Sequence, residues 1–128
     1  MAWALAETNT HQDHVIAHVI GATPLGHFVW DETAYILLDI GFIWNIYLDM
    51  EMGLVPQRVA ISELEADEAT KKELLEAANQ EASPIESVEL FENGDERRLV
   101  MNCEAESVVI ETSLSHRWTR IFPRSSVA

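Results

Sequence analysis

The 128-residue sequence predicts an α+β domain built on one mostly antiparallel sheet of about six to seven strands. Two segments have helical periodicity, several others alternate apolar and polar residues as half-buried strands do, and Gly- or Pro-containing turns separate them. The predicted order is a helix, three strands, a helix and four strands. Such an order would suit a strongly curved sheet or a half-barrel that encloses one long helix. The whole chain, 1–128, is predicted to be a single domain.

A short N-terminal helix is predicted over residues 10–21. Thr10 can act as its N-cap, Asp13 lies three residues further on at the capping-box position, and Gly21 can adopt the left-handed conformation after its end. The helix would bury a stripe of Val15, Ile16, Val19 and Ile20. The β-branched residues of this stretch leave a strand open as the alternative.

The main helix is predicted within residues 62–81 and most strongly over about 67–81. It would begin at Ser62 or at Asp67, and Ser83-Pro84 would end it. Its narrow apolar stripe consists of Leu74, Leu75 and Ala78. Just before it, residues 59–61 are predicted to form a short edge strand.

Strands are predicted on both sides of the main helix. Residues 27–30 and 34–40 form a hairpin in this prediction, and residues 42–52 form one eleven-residue strand with strict alternation. Trp30 and Trp44 are expected in the core. After the helix, a meander is predicted over residues 87–91, 97–103, 108–114 and 117–122, with Asn93-Gly94 as the strongest hairpin signal. The ends, near 1–8 and 124–128, are expected to fray.

The charge distribution is the strongest functional constraint in the sequence. Asp and Glu number 22 against 8 Lys and Arg, for a net charge of −14, and neither Lys nor Arg occurs before Arg58. Nucleic acid and anionic lipid surfaces need basic residues to neutralise phosphate, so neither is an expected partner. A cationic partner or ligand fits instead. Residues 94–128 balance five arginines with five acids, which we expect to pair with one another on the sheet rather than with a second copy.

The remaining composition indicates an ordinary soluble protein. The single cysteine, Cys103, cannot form an intrachain disulfide and is predicted to be a buried, inert thiol. The N-terminus resembles no signal peptide, and no apolar run approaches the length of a membrane span. A cytoplasmic location is therefore the expectation.

Three histidines, His11, His14 and His18, are the candidate metal ligands. On a helix, spacings of three and four residues place them on one stripe, and Asp13 or His27 could complete a tetrahedral set. The same stripe would equally suit ordinary surface histidines, which is the favoured interpretation. No cofactor is expected.

A second candidate site is an apolar pocket between the sheet and a helix, lined by residues from one face of the predicted strand 42–52. These are Phe42, Trp44, Ile46 and Met50. Asp49 and Glu51 share the opposite face with Asn45 and Tyr47, and this pattern is typical of the wet side of a sheet rather than of an acid/base pair. No catalytic residue can be assigned.

Three classes of function remain open, in order of preference. The first is a non-enzymatic interaction protein that binds a cationic protein partner. The second is a small-molecule-binding domain that uses the apolar pocket. The third is a histidine-based enzyme, with or without a metal; the absence of GxSxG, P-loop, GxGxxG and CxxC motifs disfavours the common enzyme classes. A homodimer is compatible with each class.

Overall fold

The computed structural model describes residues 3–62, 83–104 and 106–125, together with positions 67 and 69. Apart from those two positions, the predicted main helix, 67–81, lies outside the described residues. The elements in chain order are β1 (Ala4–Leu5), α1 (Thr10–Val19), β2 (Pro24–Trp30), β3 (Thr33–Leu38), β4 (Phe42–Ile46), a 3₁₀ turn (Leu48–Met50), β5 (Met52–Pro56), α2 (Gln57–Ser62), β6 (Ile85–Asn93), β7 (Glu96–Cys103), β8 (Glu106–Ser113) and β9 (Trp118–Ser125).

The α+β class and the antiparallel pairing are confirmed, but the single curved sheet is wrong. The strands form two antiparallel sheets, one in the order β1-β6-β7-β8-β9 and the other in the order β2-β3-β4-β5, and neither closes on itself. The division arises because the chain between Pro24 and Pro56 is a complete four-stranded meander that pairs only with itself. Among the described helices, none is long and apolar enough to cross a membrane.

The main core lies between the two sheets. Alternate residues of β3 and β4 face alternate residues of β6, β7 and β8, as the two-residue period of a strand requires. The buried members include Ile36, Leu38, Trp44, Ile46, Leu90, Leu99, Met101 and Ile110. The opposite face of the four-stranded sheet is also covered, because Leu37 and Ile43 pack with Ala60 of α2. Residues 59–61, predicted as an edge strand, therefore belong to a helix that covers a sheet face.

The segments that flank helix α1 are hydrogen-bonded to β6, and the helix itself contacts β5. On one side of the helix, the Ala6 amide donates to the Leu90 carbonyl at 2.8 Å; on the other, the Gly21 amide donates to the Ile85 carbonyl at 2.8 Å. Val15 and Val19 are buried in the core, whereas Ile20 is exposed. The helix therefore covers part of β5, an edge strand of the four-stranded sheet.

The helix begins one residue earlier than the sequence predicts. Asn9, rather than Thr10, is the N-cap: its side chain accepts from the Gln12 amide at 2.8 Å, and the Gln12 side chain accepts from the Asn9 amide at 3.0 Å. Gln12 therefore takes the capping-box position that the prediction gave to Asp13. Asn is as good an N-cap as Ser or Thr, so both choices satisfy the sequence rule.

The predicted eleven-residue strand 42–52 is wrong. The chain reverses after Ile46, and Met52 returns as its cross-strand partner at the start of β5. In between, Asp49 and Met50 have φ angles of 59° and 57°, which place both in the left-handed region. This region favours Gly and Asn, and neither occupies these two positions, so the alternating pattern conceals the turn.

Both predicted hairpins are confirmed. Asp31 and Glu32, with φ angles of 48° and 67°, form the two-residue turn between β2 and β3, as positive values at both positions allow. Between β6 and β7, Asn93 pairs with Glu96, so the turn residues are Gly94 and Asp95. The turn is one residue later than the Asn93-Gly94 signal suggests. Trp30, predicted in the core, is 37% exposed at the end of β2.

Candidate functional site

A cleft of about 340 Å³ opens beside the N-cap of α1, between the 3₁₀ turn and the joined ends of β6 and β7. This volume falls near the lower end of the range of small-ligand sites. Its walls are formed by Ala6, Glu7, Thr8, Asn9, Gln12, Asp49, Met50, Leu90, Phe91, Glu92 and Arg97. Two of its apolar members, Met50 and Leu90, are buried.

The left-handed turn forms one wall of the cleft, and Gln12 supports it. The Gln12 side-chain amide donates to the Met50 carbonyl at 3.0 Å, and the Tyr47 amide donates to the Glu51 carbonyl at 2.7 Å. A left-handed residue with a Cβ costs about 1–2 kcal/mol, so the turn needs such compensation. Burial of the Met50 side chain contributes more of it. The turn is therefore stabilised by these hydrogen bonds and by the burial of Met50, and not by the conformational preferences of its own residues.

Three carboxylates and one guanidinium line the cleft. Arg97 Nε donates to Asp49 Oδ1 at 3.1 Å, and Arg97 Nη1 donates to the carbonyls of Gly94 and Glu96 at 2.8 and 3.0 Å. Glu7 and Glu92 add two further negative charges. Three acids against one arginine leave the lining with a formal charge of −2. The Asp49 side chain is 63% exposed, so its carboxylate is accessible to an incoming donor.

The four arginines between residues 97 and 120 all pair with acids of the same chain. Arg98 and Arg120 both bind the buried carboxylate of Glu111, within one sheet. Arg97 and Arg117 instead bind Asp49 and Glu32, which lie in turns of the other sheet. The predicted pairing is thus confirmed in part, since half of these ion pairs join the sheets. The side chain of Arg124 lies outside the described residues.

Glu32 forms the centre of a polar contact between the sheets. Arg117 Nη2 and the Tyr47 hydroxyl donate to Glu32 Oε2 at 2.8 and 3.0 Å, and Thr119 Oγ1 donates to the Glu32 carbonyl at 2.6 Å. The hydrogen bond from Arg117, followed by that from Tyr47, holds the pKa of the Glu32 carboxyl below its ordinary value of 4.5. The same contact raises the pKa of Arg117. Glu32 therefore binds its proton less readily in the folded chain.

This contact predicts a specific pH dependence of stability. A carboxyl whose pKa is lowered by folding stabilises the fold fully above its ordinary pKa, and this contribution is lost as the pH falls through the lowered value. We expect Glu32→Gln to lower the free energy of unfolding by a constant amount above about pH 5. Below pH 4.5 the difference from the wild type should shrink. Urea denaturation at pH 3–7 measures it. Asp31→Asn, in the same turn, should stay close to the wild type, and a pH-independent Glu32→Gln difference would contradict the assignment.

The described residues place most of the predicted pocket lining in the core, and the pocket itself stays a prediction. Trp44, Ile46 and Met50 are buried in the core between the sheets, where they pack against other side chains. Phe42 is 38% exposed at the start of β4. Met50 is the one member of this set that lines the cleft, because the unpredicted turn places it there.

Two of the three predicted metal ligands, His11 and His18, have a ring nitrogen within hydrogen-bond distance of a backbone carbonyl. A ring nitrogen of His11 lies 2.8 Å from the Met52 carbonyl, and Nδ1 of His18 lies 2.7 Å from the His14 carbonyl. Within the described residues, no group of three or more His, Cys, Asp or Glu side chains could hold a metal ion. The metal site stays a prediction without a cluster to support it. Cys103 is buried, and burial raises the pKa of its thiol, in line with an inert residue.

Comparisons with protein-family models, with curated proteins and with solved structures found no match to this chain.

Proposed function

We propose that this protein is a non-enzymatic interaction module whose cleft receives a basic side chain of a partner protein. The observation that carries the proposal is the cleft lining, in which three carboxylates surround a 340 Å³ space and the single arginine is already occupied. Lys and Arg side chains carry only hydrogen-bond donors, which carboxylates accept. Their aliphatic stems would pack beside Met50 and Leu90, two apolar residues of the lining.

The charge of the whole protein supports the same partner. A net charge of −14 attracts a basic surface over long distances and accelerates its association. The four arginines between residues 97 and 120 are already paired within the chain, so they offset this field without offering an anion site. Association should therefore slow strongly as salt is added.

The cleft variants have opposite expected effects on the binding of a basic peptide. Asp49→Asn removes one negative charge and also frees Arg97, so the affinity for a fluorescent peptide of alternating Lys and Ala should fall about tenfold. Asn tolerates the left-handed conformation of position 49, so the turn should persist. Arg97→Gln removes the competing cation and should raise the affinity about threefold. Fluorescence anisotropy at two salt concentrations measures both.

Two controls make this test specific. Glu104→Gln makes the same charge change at an exposed position outside the cleft and should leave the affinity within about twofold of the wild type. If Arg97→Gln weakens binding as much as Asp49→Asn, the pair is only structural and the proposal fails.

Competition with putrescine separates a protein partner from a small cation: full displacement at equal concentration would favour the small-molecule class. Sedimentation of the same samples tests the homodimer.

A further inference from the structure

The segment Trp3–Glu7, here called the N-terminal strap, is held to the sheet by few contacts. Within the described part of the chain, its strand β1 makes two cross-strand pairs with β6, Ala4 with Glu92 and Leu5 with Phe91. One further backbone hydrogen bond joins the Ala6 amide to the Leu90 carbonyl. The Leu5 side chain is 70% exposed and buries little apolar area. So short a terminal strand has little stability of its own.

An aromatic contact holds Trp3, the first residue of the strap, against β7. Arg98 Cζ lies 4.2 Å from the centre of the Trp3 ring, within the distance of a cation–π contact. The guanidinium is itself fixed, because Arg98 Nε donates to the buried Glu111 carboxylate at 2.6 Å. Next to this contact lies a hollow of about 100 Å³, lined by Trp3, Glu89, Phe91, Arg98 and Val100. The ring thus rests on a rigid support without filling the space around it.

The other end of the strap forms part of the cleft. Ala6 and Glu7 line it, and Glu7 supplies one of its three carboxylates. The next two residues are fixed to α1, since Thr8 Oγ1 donates to Asp13 and Asn9 forms the capping box with Gln12. Any movement of the strap must therefore pivot between Glu7 and Thr8. Such a movement would carry the Glu7 carboxylate away from Glu92.

We propose that the N-terminal strap is a lid over the cleft, closed by Trp3 on Arg98, and that it opens while both sheets stay folded. The inference rests on the proposed function only for the ligand of the cleft. A cation bound between Glu7 and Glu92 would keep the lid closed. Local opening of this kind has a free energy well below that of global unfolding. The lid itself can be tested without any ligand.

Amide hydrogen exchange of the ligand-free protein, followed by NMR, tests the lid. Trp3→Ala removes the aromatic contact, so exchange at the Ala6 amide should accelerate about three- to tenfold. The amides of Val109 and Ile110, in strand β8 between β7 and β9, should exchange as in the wild type. Trp3→Phe retains a ring and should recover most of the protection. Leu5→Ala, at the exposed neighbouring position, is the matched control and should have little effect.

Two outcomes overturn the proposal: unchanged exchange at Ala6 in Trp3→Ala, or an equal acceleration at Ala6 and at Ile110. A second variant tests the lid without removing the Trp3 ring. Leu5→Cys with Phe91→Cys can form a disulfide, because these residues are directly paired across β1 and β6. The oxidised form should exchange the Ala6 amide more slowly than the reduced form, and equal rates would also end the proposal. A lid that opens in Trp3→Ala while the Lys peptide fails to bind would refute the proposed function alone.

Discussion

Replacing Glu111 by Ala is expected to lower the free energy of unfolding by about 3 kcal/mol. The Glu111 side chain is nearly buried, and Arg98 Nε and Arg120 Nε donate to its two oxygens at 2.6 and 2.8 Å. Hydrogen bonds between charged groups contribute about 1.5–3 kcal/mol each. The arginine side chains are 25% and 62% exposed, so in the variant water hydrates the unpaired guanidinium groups and offsets part of the lost free energy.

Urea denaturation at neutral pH measures the effect of Glu111→Ala. Glu106→Ala is the matched control, because Glu106 lies on the same strand but is exposed, and it should stay within about 0.5 kcal/mol of the wild type. Arg98→Ala should cost more than Arg120→Ala, since Arg98 is the less exposed donor and also supports Trp3. A Glu111→Ala loss no larger than that of the control would show that the two arginines contribute little to the fold.

Trp44→Ala is expected to lower the free energy of unfolding by about 4 kcal/mol, while Trp30→Ala costs about 1 kcal/mol or less. The two residues are chemically the same and belong to one sheet, but Trp44 is 0% exposed and Trp30 is 37% exposed. The difference follows from the cavity that truncation leaves, which water fills at position 30 and cannot fill between the sheets. Equilibrium unfolding of both variants measures it. Similar losses at the two positions would contradict the placement of Trp44 in the core.

The two tryptophans also show how far the sequence predicts the fold. Alternation identifies the strands that contain them, but it does not say which end of a strand extends beyond the core. Trp30 adjoins the turn at Asp31 and Glu32, and it is 37% exposed there. The division into two sheets was likewise hidden, because strand pairing depends on contacts between distant segments, which a local pattern does not contain.

The cleft was less predictable than the core because it depends on a concealed turn and on register. The Asn93-Gly94 signal locates the β6–β7 hairpin, and a shift of its turn by one residue places Glu92 opposite Arg97. The reversal at Asp49 and Met50 lacks the Gly or Asn that usually announces a left-handed residue. Gln12 supports this turn from a helix that is distant in sequence. Had the turn been recognised, Asp49 could have been assigned to a loop rather than to the wet face of a strand.

The carboxylate shared by two arginines also constrains how this sequence can diverge. A change at position 111 alone leaves both arginines without their carboxylate, so a change there should be accompanied by changes at positions 98 and 120. Twelve residues separate Arg98 from Glu111, and eight separate Glu111 from Arg120. This spacing, set by two successive hairpins, is a fingerprint by which distant relatives could be recognised after the surface of the cleft has changed. Relatives that lack the ion pairs should instead have apolar residues at all three positions.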